Sequence, residues 1–194
     1  ATHLLHEALR EVLGTHVEQK GSLVSPDYLR FDFSHFAKMT DEEAARVESL
    51  VNERIRKNFP LEENRSMAIE DASKTGAMML FGEKYGDVVR VIKFGNSVEL
   101  CGGTHVGSTG EIGMFRIQSE GAVAAGVRRV EAISSNGAFQ FINSELELLD
   151  QVRQTLKAKD VMKSIVDLQA RNSELQKQIE KFNKEKGAQV KLQL

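Results

Sequence analysis

The 194-residue chain has one cysteine, two prolines, no tryptophan and no long apolar run. A single cysteine excludes an intrachain disulfide and suits a reducing compartment, so a cytoplasmic location is expected. No apolar stretch approaches the roughly 20 residues a helix needs to cross a bilayer, so no membrane partner is expected. The N-terminus lacks a basic segment followed by an apolar one, which argues against a secretory leader. An excess of one charge is missing too: 26 Lys and Arg stand against 28 Asp and Glu. That balance does not announce a nucleic-acid binder, and it does not exclude one, because local basic patches set such contacts. What is present is ordinary globular composition, 41% hydrophobic and 28% charged, in a length that suits one substantial domain plus an appendage. The chain opens on Ala1 rather than Met and is helically periodic from the start, so a piece cut from a longer protein is expected.

Residues 2–13 set Leu4, Leu5, Ala8, Leu9, Val12 and Leu13 on one helical face, with Gly14 as the C-terminal cap. Residues 16–24 and 28–33 read as strands joined at Ser25-Pro26-Asp27. Thr40-Asp41-Glu42-Glu43 is a capping box opening a helix to about Asn58, with Val47, Leu50, Val51 and Ile55 inward and Pro60 as the stop. A short strand near 61–68, a short helix near 69–81, and strands at 88–94, near 112–118 and near 127–133 follow. Eight glycines between Gly95 and Gly126 mark a loop-rich stretch in which backbone can approach a ligand closely. Helices and hairpin-type strands alternating irregularly favour an α+β fold, two layers with a mainly antiparallel sheet.

Composition changes after Gly137. From 138 to 194 there is one glycine and no proline, and ten Lys/Arg stand against eight Asp/Glu in 139–194. Val161, Ile165, Leu168, Asn172, Leu175, Ile179 and Phe182 alternate four and three apart, a heptad seam with Asn172 at one core position. An earlier helix over about 138–156 could fold back on it as a hairpin; helix-mediated self-association is the alternative. The expected domains are 1–137 and a helical segment, 138–194.

Cys101 and His105 bracket Gly102-Gly103. Thiolate and imidazole suit zinc, and the glycines let the chain wrap an ion. His3, at the edge of the first helix's apolar face, is a third candidate, and three ligands fit an open site rather than a closed one. Two other readings stand beside this: Cys101 as a small buried hydrophobe, and Cys101 as a nucleophile activated by His105.

Several runs in order, spread over about 130 residues, carry a family likeness. They are Thr2-His3-Leu4-Leu5-His6-Glu7-Ala8-Leu9, Leu13 to Ser22, Arg30 to His35, and Gly76-Ala77-Met78 with Leu80 to Asp87. Glu99-Leu100-Cys101-Gly102-Gly103-Thr104-His105, Gly113 to Ile117 and Ala124 to Ala132 complete the set. The ensemble resembles the editing domain of the alanyl-tRNA synthetases, and the helical tail resembles the start of their C-terminal domain.

The resemblance implies hydrolysis of the ester joining serine or glycine to tRNA(Ala), a second site that fidelity needs because small differences between amino acids discriminate weakly. It implies one Zn²⁺, held by an HxxxH pair and a CxxxH pair, and carries ligand roles to His3, Cys101 and His105. The first histidine of HxxxH would lie upstream of Ala1, and His6 is a possible substitute. Gln19 would help orient substrate and Thr15 would meet a serine hydroxyl. The Gly102 and Gly103 N–H groups would stabilise an oxyanion. Lys20, Arg128 and Arg129, then Arg54, Arg56 and Lys57, are the expected contacts to the tRNA(Ala) acceptor end carrying the mischarged aminoacyl ester. ATP and Mg²⁺ belong only to a parent ligase. A free-standing editing hydrolase and a noncatalytic RNA-binding or helical assembly module are the alternatives.

Overall fold

The computed structural model describes residues 1–79 and 85–192, in two compact units, Ala1–Phe141 and Ile142–Leu194. The family-like run Leu80-Phe81-Gly82-Glu83-Lys84 lies outside the described residues. The elements are α1 (Thr2–Leu13), β1 (Gln19–Val24), β2 (Leu29–Ser34), α2 (Asp41–Arg56), β3 (Glu62–Ala68), α3 (Ile69–Lys74), β4 (Val88–Phe94) and β5 (Ser97–Leu100). A 3₁₀ turn (Thr109–Ile112) then leads to β6 (Phe115–Ala124), β7 (Val127–Ser134), α4 (Ser135–Leu156) and α5 (Val161–Leu192).

The first unit is α+β. One sheet has the order β1-β2-β7-β6 and the other β3-β4-β5, and every named pairing is antiparallel. The alternation read in Leu29-Arg30-Phe31-Asp32-Phe33 places Leu29, Phe31 and Phe33 in the interior. Full burial of such side chains contributes about 1.5–3 kcal/mol each. Leu4, Leu5, Ala8 and Leu9 of α1 and Val47, Val51 and Ile55 of α2 join them, with Ile92 and Phe94 of β4 and Val130 and Ala132 of β7. Both sheets therefore share one core with α1 and α2.

α2 begins as its sequence dictates. The Thr40 hydroxyl accepts from the Glu43 N–H at 3.1 Å, and the Thr40 N–H donates to the Glu43 carboxylate at 2.8 Å. Its far end is tied to the 3₁₀ turn. The buried Thr109 hydroxyl donates to the Arg54 carbonyl at 2.9 Å and accepts from the Phe59 N–H at 2.9 Å.

β5 is absent from the sequence-based expectation. It forms because Gly95, at φ 60°, opens a two-residue loop between Phe94 and Ser97; a left-handed first loop position suits glycine and returns the chain antiparallel. Its outer edge is covered at one point by a parallel bridge from Met78 to Glu99.

The second unit contains the remainder of α4 and α5. Leu168, Leu175, Ile179 and Phe182 stay exposed, Phe182 by 64%. The start of the seam, Val161 and Ile165, is half-buried, and from Leu168 onward its apolar residues are exposed.

Candidate metal centre

α1 and β5 meet where the loop after β5 begins. The first turn of α1 delivers His3, and the chain leaving Leu100 delivers Cys101 and then His105 across the two glycines. The donor atoms of these three residues lie within 4.8 Å of one another, and they are the one such trio among the described residues. His3 Nε2 faces His105 Nε2 at 3.2 Å, with the rings nearly perpendicular at 85°. Phe94 closes the apolar side against both rings. The Cys101 thiol is free.

Electrostatics keep the imidazoles neutral at neutral pH. Burial lowers the pKa of His3 to about 4, against the opposing pull of the Glu99 carboxylate. His105 is lowered too, by burial and then by the positive Arg90. A neutral imidazole is the form that ligates a metal.

Two further residues stand behind the cluster. Glu99, 5% exposed on β5, accepts from His6 Nδ1 at 3.2 Å and lies 3.5 Å from His3 Nδ1. Burial raises its pKa and the hydrogen bond from His6 lowers it, and the balance leaves it below the usual carboxylate range. Arg90 of β4 donates from Nη1 to the carbonyls of Cys101, at 3.1 Å, and Gly103, while Nε donates to Glu63 at 2.6 Å. The Cys101 N–H returns a bond to the Arg90 carbonyl at 3.2 Å. The loop is thus clamped by a guanidinium on one strand.

Two clefts open on the cluster. One, of about 510 Å³, is lined by Gln19, Ser22, Arg90, Cys101, Gly102 and Gly103. The other, of about 560 Å³, reaches His3, Cys101, Thr104 and His105 past Ser22 and Tyr28. Gln19, on the edge strand β1, donates to the Ser22 hydroxyl at 3.0 Å.

The structure brings together His3, Cys101, His105, Gln19, Gly102 and Gly103. It does not bring in Thr15, which is exposed in the turn after α1 and lines neither cleft. His6 is buried, but its Nδ1 is engaged by Glu99 and it stands outside the donor trio. Lys20 pairs with Glu18 at 3.0 Å. Arg129 makes a two-pronged bond to Asp32, at 2.6 and 2.8 Å, and Arg128 makes one to Glu120. Arg54 is buried against Glu7 and Glu11, Lys57 pairs with Glu53, and Arg56 is exposed. Sequence reasoning assigned no part to Arg90 or to Glu99. The signal for Glu99 was its place in the quoted run, an acidic residue two before the thiol.

Comparison with known proteins accords with this geometry. Residues 89–131 match the family described as "Threonyl and Alanyl tRNA synthetase second additional domain". The "Alanine--tRNA ligase" of Parabacteroides distasonis is 58% identical over 98% of this chain and 22% of its own length. The proteins of the same name from Bacteroides fragilis and Porphyromonas gingivalis are 56% and 55% identical over 100% of this chain, again 22% of their length. The chain spans about a fifth of the curated relatives it matches. It belongs to the alanine–tRNA ligase family and corresponds to the segment that carries the second additional domain.

Proposed function

We propose that this segment is the editing centre of an alanine–tRNA ligase, hydrolysing the ester of serine or glycine mischarged on tRNA(Ala). The observation that carries the reading is the convergence of His3, Cys101 and His105 where two clefts meet. Two neutral imidazoles and a thiol are a zinc donor set, and the facing Nε2 atoms at 3.2 Å fit an ion that both would share. Zinc, when bound, supplies Lewis acidity and a positive charge beside the ester. The protein's own residues do the rest. Gln19 presents an amide to the cleft for the substrate's polar groups, and the Gly102-Gly103 backbone lets the ester approach the loop without a side chain between. The acceptor end of tRNA is the partner on this reading, with Lys20 beside Gln19 on the same strand. ATP and Mg²⁺ belong to the whole ligase and not to this segment.

The test is release of serine from Ser-tRNA(Ala) by the chain, with Ala-tRNA(Ala) as control. Cys101→Ala and Gln19→His are expected to slow it. Unchanged rates in both variants would overturn the assignment. Deacylation that persists after complete removal of metal would favour the nucleophilic reading of Cys101.

A further inference from the structure

The proposed metal centre leaves one buried group unused. Glu99 is a carboxylate of 5% exposure placed between two imidazoles, with His6 Nδ1 at 3.2 Å from one oxygen and His3 Nδ1 at 3.5 Å from the other. Both histidines are buried as well, at 6% and 4% exposure. All three groups come from two neighbouring elements: one turn of α1 brings both Nδ1 atoms to the single side chain of Glu99 on β5. Such a carboxylate can only accept hydrogen bonds.

We infer that Glu99 is the positioning residue of this centre: it accepts the Nδ1–H of His6 and, facing His3 Nδ1 at 3.5 Å, draws the His3 proton to that nitrogen, and so leaves the His3 Nε2 lone pair bare and aimed at Cys101 and His105. His6 Nδ1 is hydrogen-bonded to Glu99, while His3 Nδ1 stands at ion-pair distance from the other oxygen and makes no hydrogen bond to the described residues. A neutral imidazole has one proton, and its place is set by what the other nitrogen meets. An acceptor-only group at Nδ1 puts the proton there and leaves Nε2 as a donor of electrons. Nε2 is the atom that faces His105 at 3.2 Å. His6 has a defined part as well. It occupies one oxygen of Glu99, which fixes the carboxylate's rotation and turns the second oxygen towards His3. This also accounts for a buried histidine that is not in the donor trio: its own Nε2 meets no hydrogen-bonding partner among the described residues, so its contribution runs through Nδ1. Carboxylates behind ligating histidines raise ligand basicity and fix ring orientation, and their loss commonly costs about 10–100-fold in metal affinity.

The inference rests on the metal reading for its consequence, but its first measurement does not. Histidine ¹⁵N NMR on the metal-free chain reports directly which nitrogen of His3 carries the proton. The expected state is Nδ1–H with bare Nε2, for His3 and His6 alike. A proton on His3 Nε2 in the unaltered chain would overturn the inference, and no variant need fold for that result. In Glu99→Gln the amide offers one acceptor and one donor, so one of the two histidines must give up the Nδ1–H form; retention of that form by both overturns the inference. The second measurement is zinc affinity by competition with a chromophoric chelator. Glu99→Gln is expected to weaken zinc about 10–100-fold. His6→Asn, whose amide N–H can replace Nδ1–H, is expected to retain more affinity than His6→Leu. Affinity unchanged within twofold in both Glu99→Gln and His6→Leu overturns the positioning role. If the unaltered chain binds no zinc, the metal reading falls, and the tautomer measurement still decides Glu99.

Discussion

Among the described residues, two pairs of histidines bring their ring nitrogens nearly into contact, and one of the pairs has a third metal-type donor beside it. His3 and His105 meet at 3.2 Å, and His16 and His35 at 2.9 Å. The first pair is drawn from α1 and the loop after β5, with the Cys101 thiol beside it and Glu99 behind it. The second lies on the surface, its rings stacked at 24° and 5.2 Å apart, and belongs to no trio of metal-type donors among the described residues. Proximity of two imidazoles is therefore a weak criterion. The distinguishing features are a third donor, removal from water, and a group that fixes which nitrogen is bare.

The largest effect that could break this contrast is loss of a proposed ligand. His105→Ala removes one of three donors and is expected to lower zinc affinity by at least about 100-fold, beyond the usual cost of losing a supporting group. Zinc should also protect Cys101 from alkylation in the unaltered chain and fail to do so in the variant. Equal alkylation rates with and without zinc in the unaltered chain would place the thiol outside the centre.

Acid provides the next test. His3 is lowered by burial to about 4 from an ordinary value of 6.5. Between those values the unfolded chain binds a proton at this position that the folded chain does not, so stability is full above about 6.5 and falls as pH drops toward 4. A displacement of this size corresponds to a loss on the order of 3 kcal/mol. Urea unfolding of the metal-free chain across that window, compared with His3→Gln, isolates the contribution. The variant should lose less stability than the parent on acidification; parallel curves would show that the pocket does not penalise a charged His3.

The clamp on the loop ranks third. Arg90→Met keeps much of the stem but loses the guanidinium that binds the Cys101 and Gly103 carbonyls. A drop of about tenfold in zinc affinity is expected, in the lower part of the range for supporting groups. Arg90→Lys should recover little, because a point charge cannot serve two carbonyls and Glu63 at once. Full recovery by lysine would reduce the clamp to simple charge.

How much of this was legible in the sequence differs by kind of information. α2 was readable because Thr40 and Glu43 form the cap locally, and β2 because Leu29, Phe31 and Phe33 alternate. β5 was not, since four residues inside a glycine-rich stretch carry too little pattern to separate strand from loop. The seam on α5 was plain as a pattern, but periodicity records which face is apolar and not what covers it. Cys101 and His105 are neighbours in sequence and could be seen as a pair. The acceptor role of Glu99 toward His6 joins residues 93 apart, and no local rule states it. Arg128 and Arg129 show the same limit: adjacent cations read alike whether they face phosphate or carboxylate. Strand pairing sets Arg129 opposite Asp32, a partner that the local sequence does not name.

The smallest effect is expected at the exposed pair, and it is the one that completes the contrast. His16 Nε2 and His35 Nδ1 share one hydrogen bond in the reach of water, and a bond of that kind exchanges readily with solvent, so its net worth is small. His16→Ala and His35→Ala should change stability by about 0.5 kcal/mol or less. Zinc affinity at the His3 centre and serine release should stay within about twofold, because neither residue lines the two clefts and surface replacements away from such features have little effect. Loss of one equivalent of zinc from either variant would mean that two stacked surface imidazoles suffice for a site. Burial, the third donor and Glu99 would then cease to be what separates the two pairs.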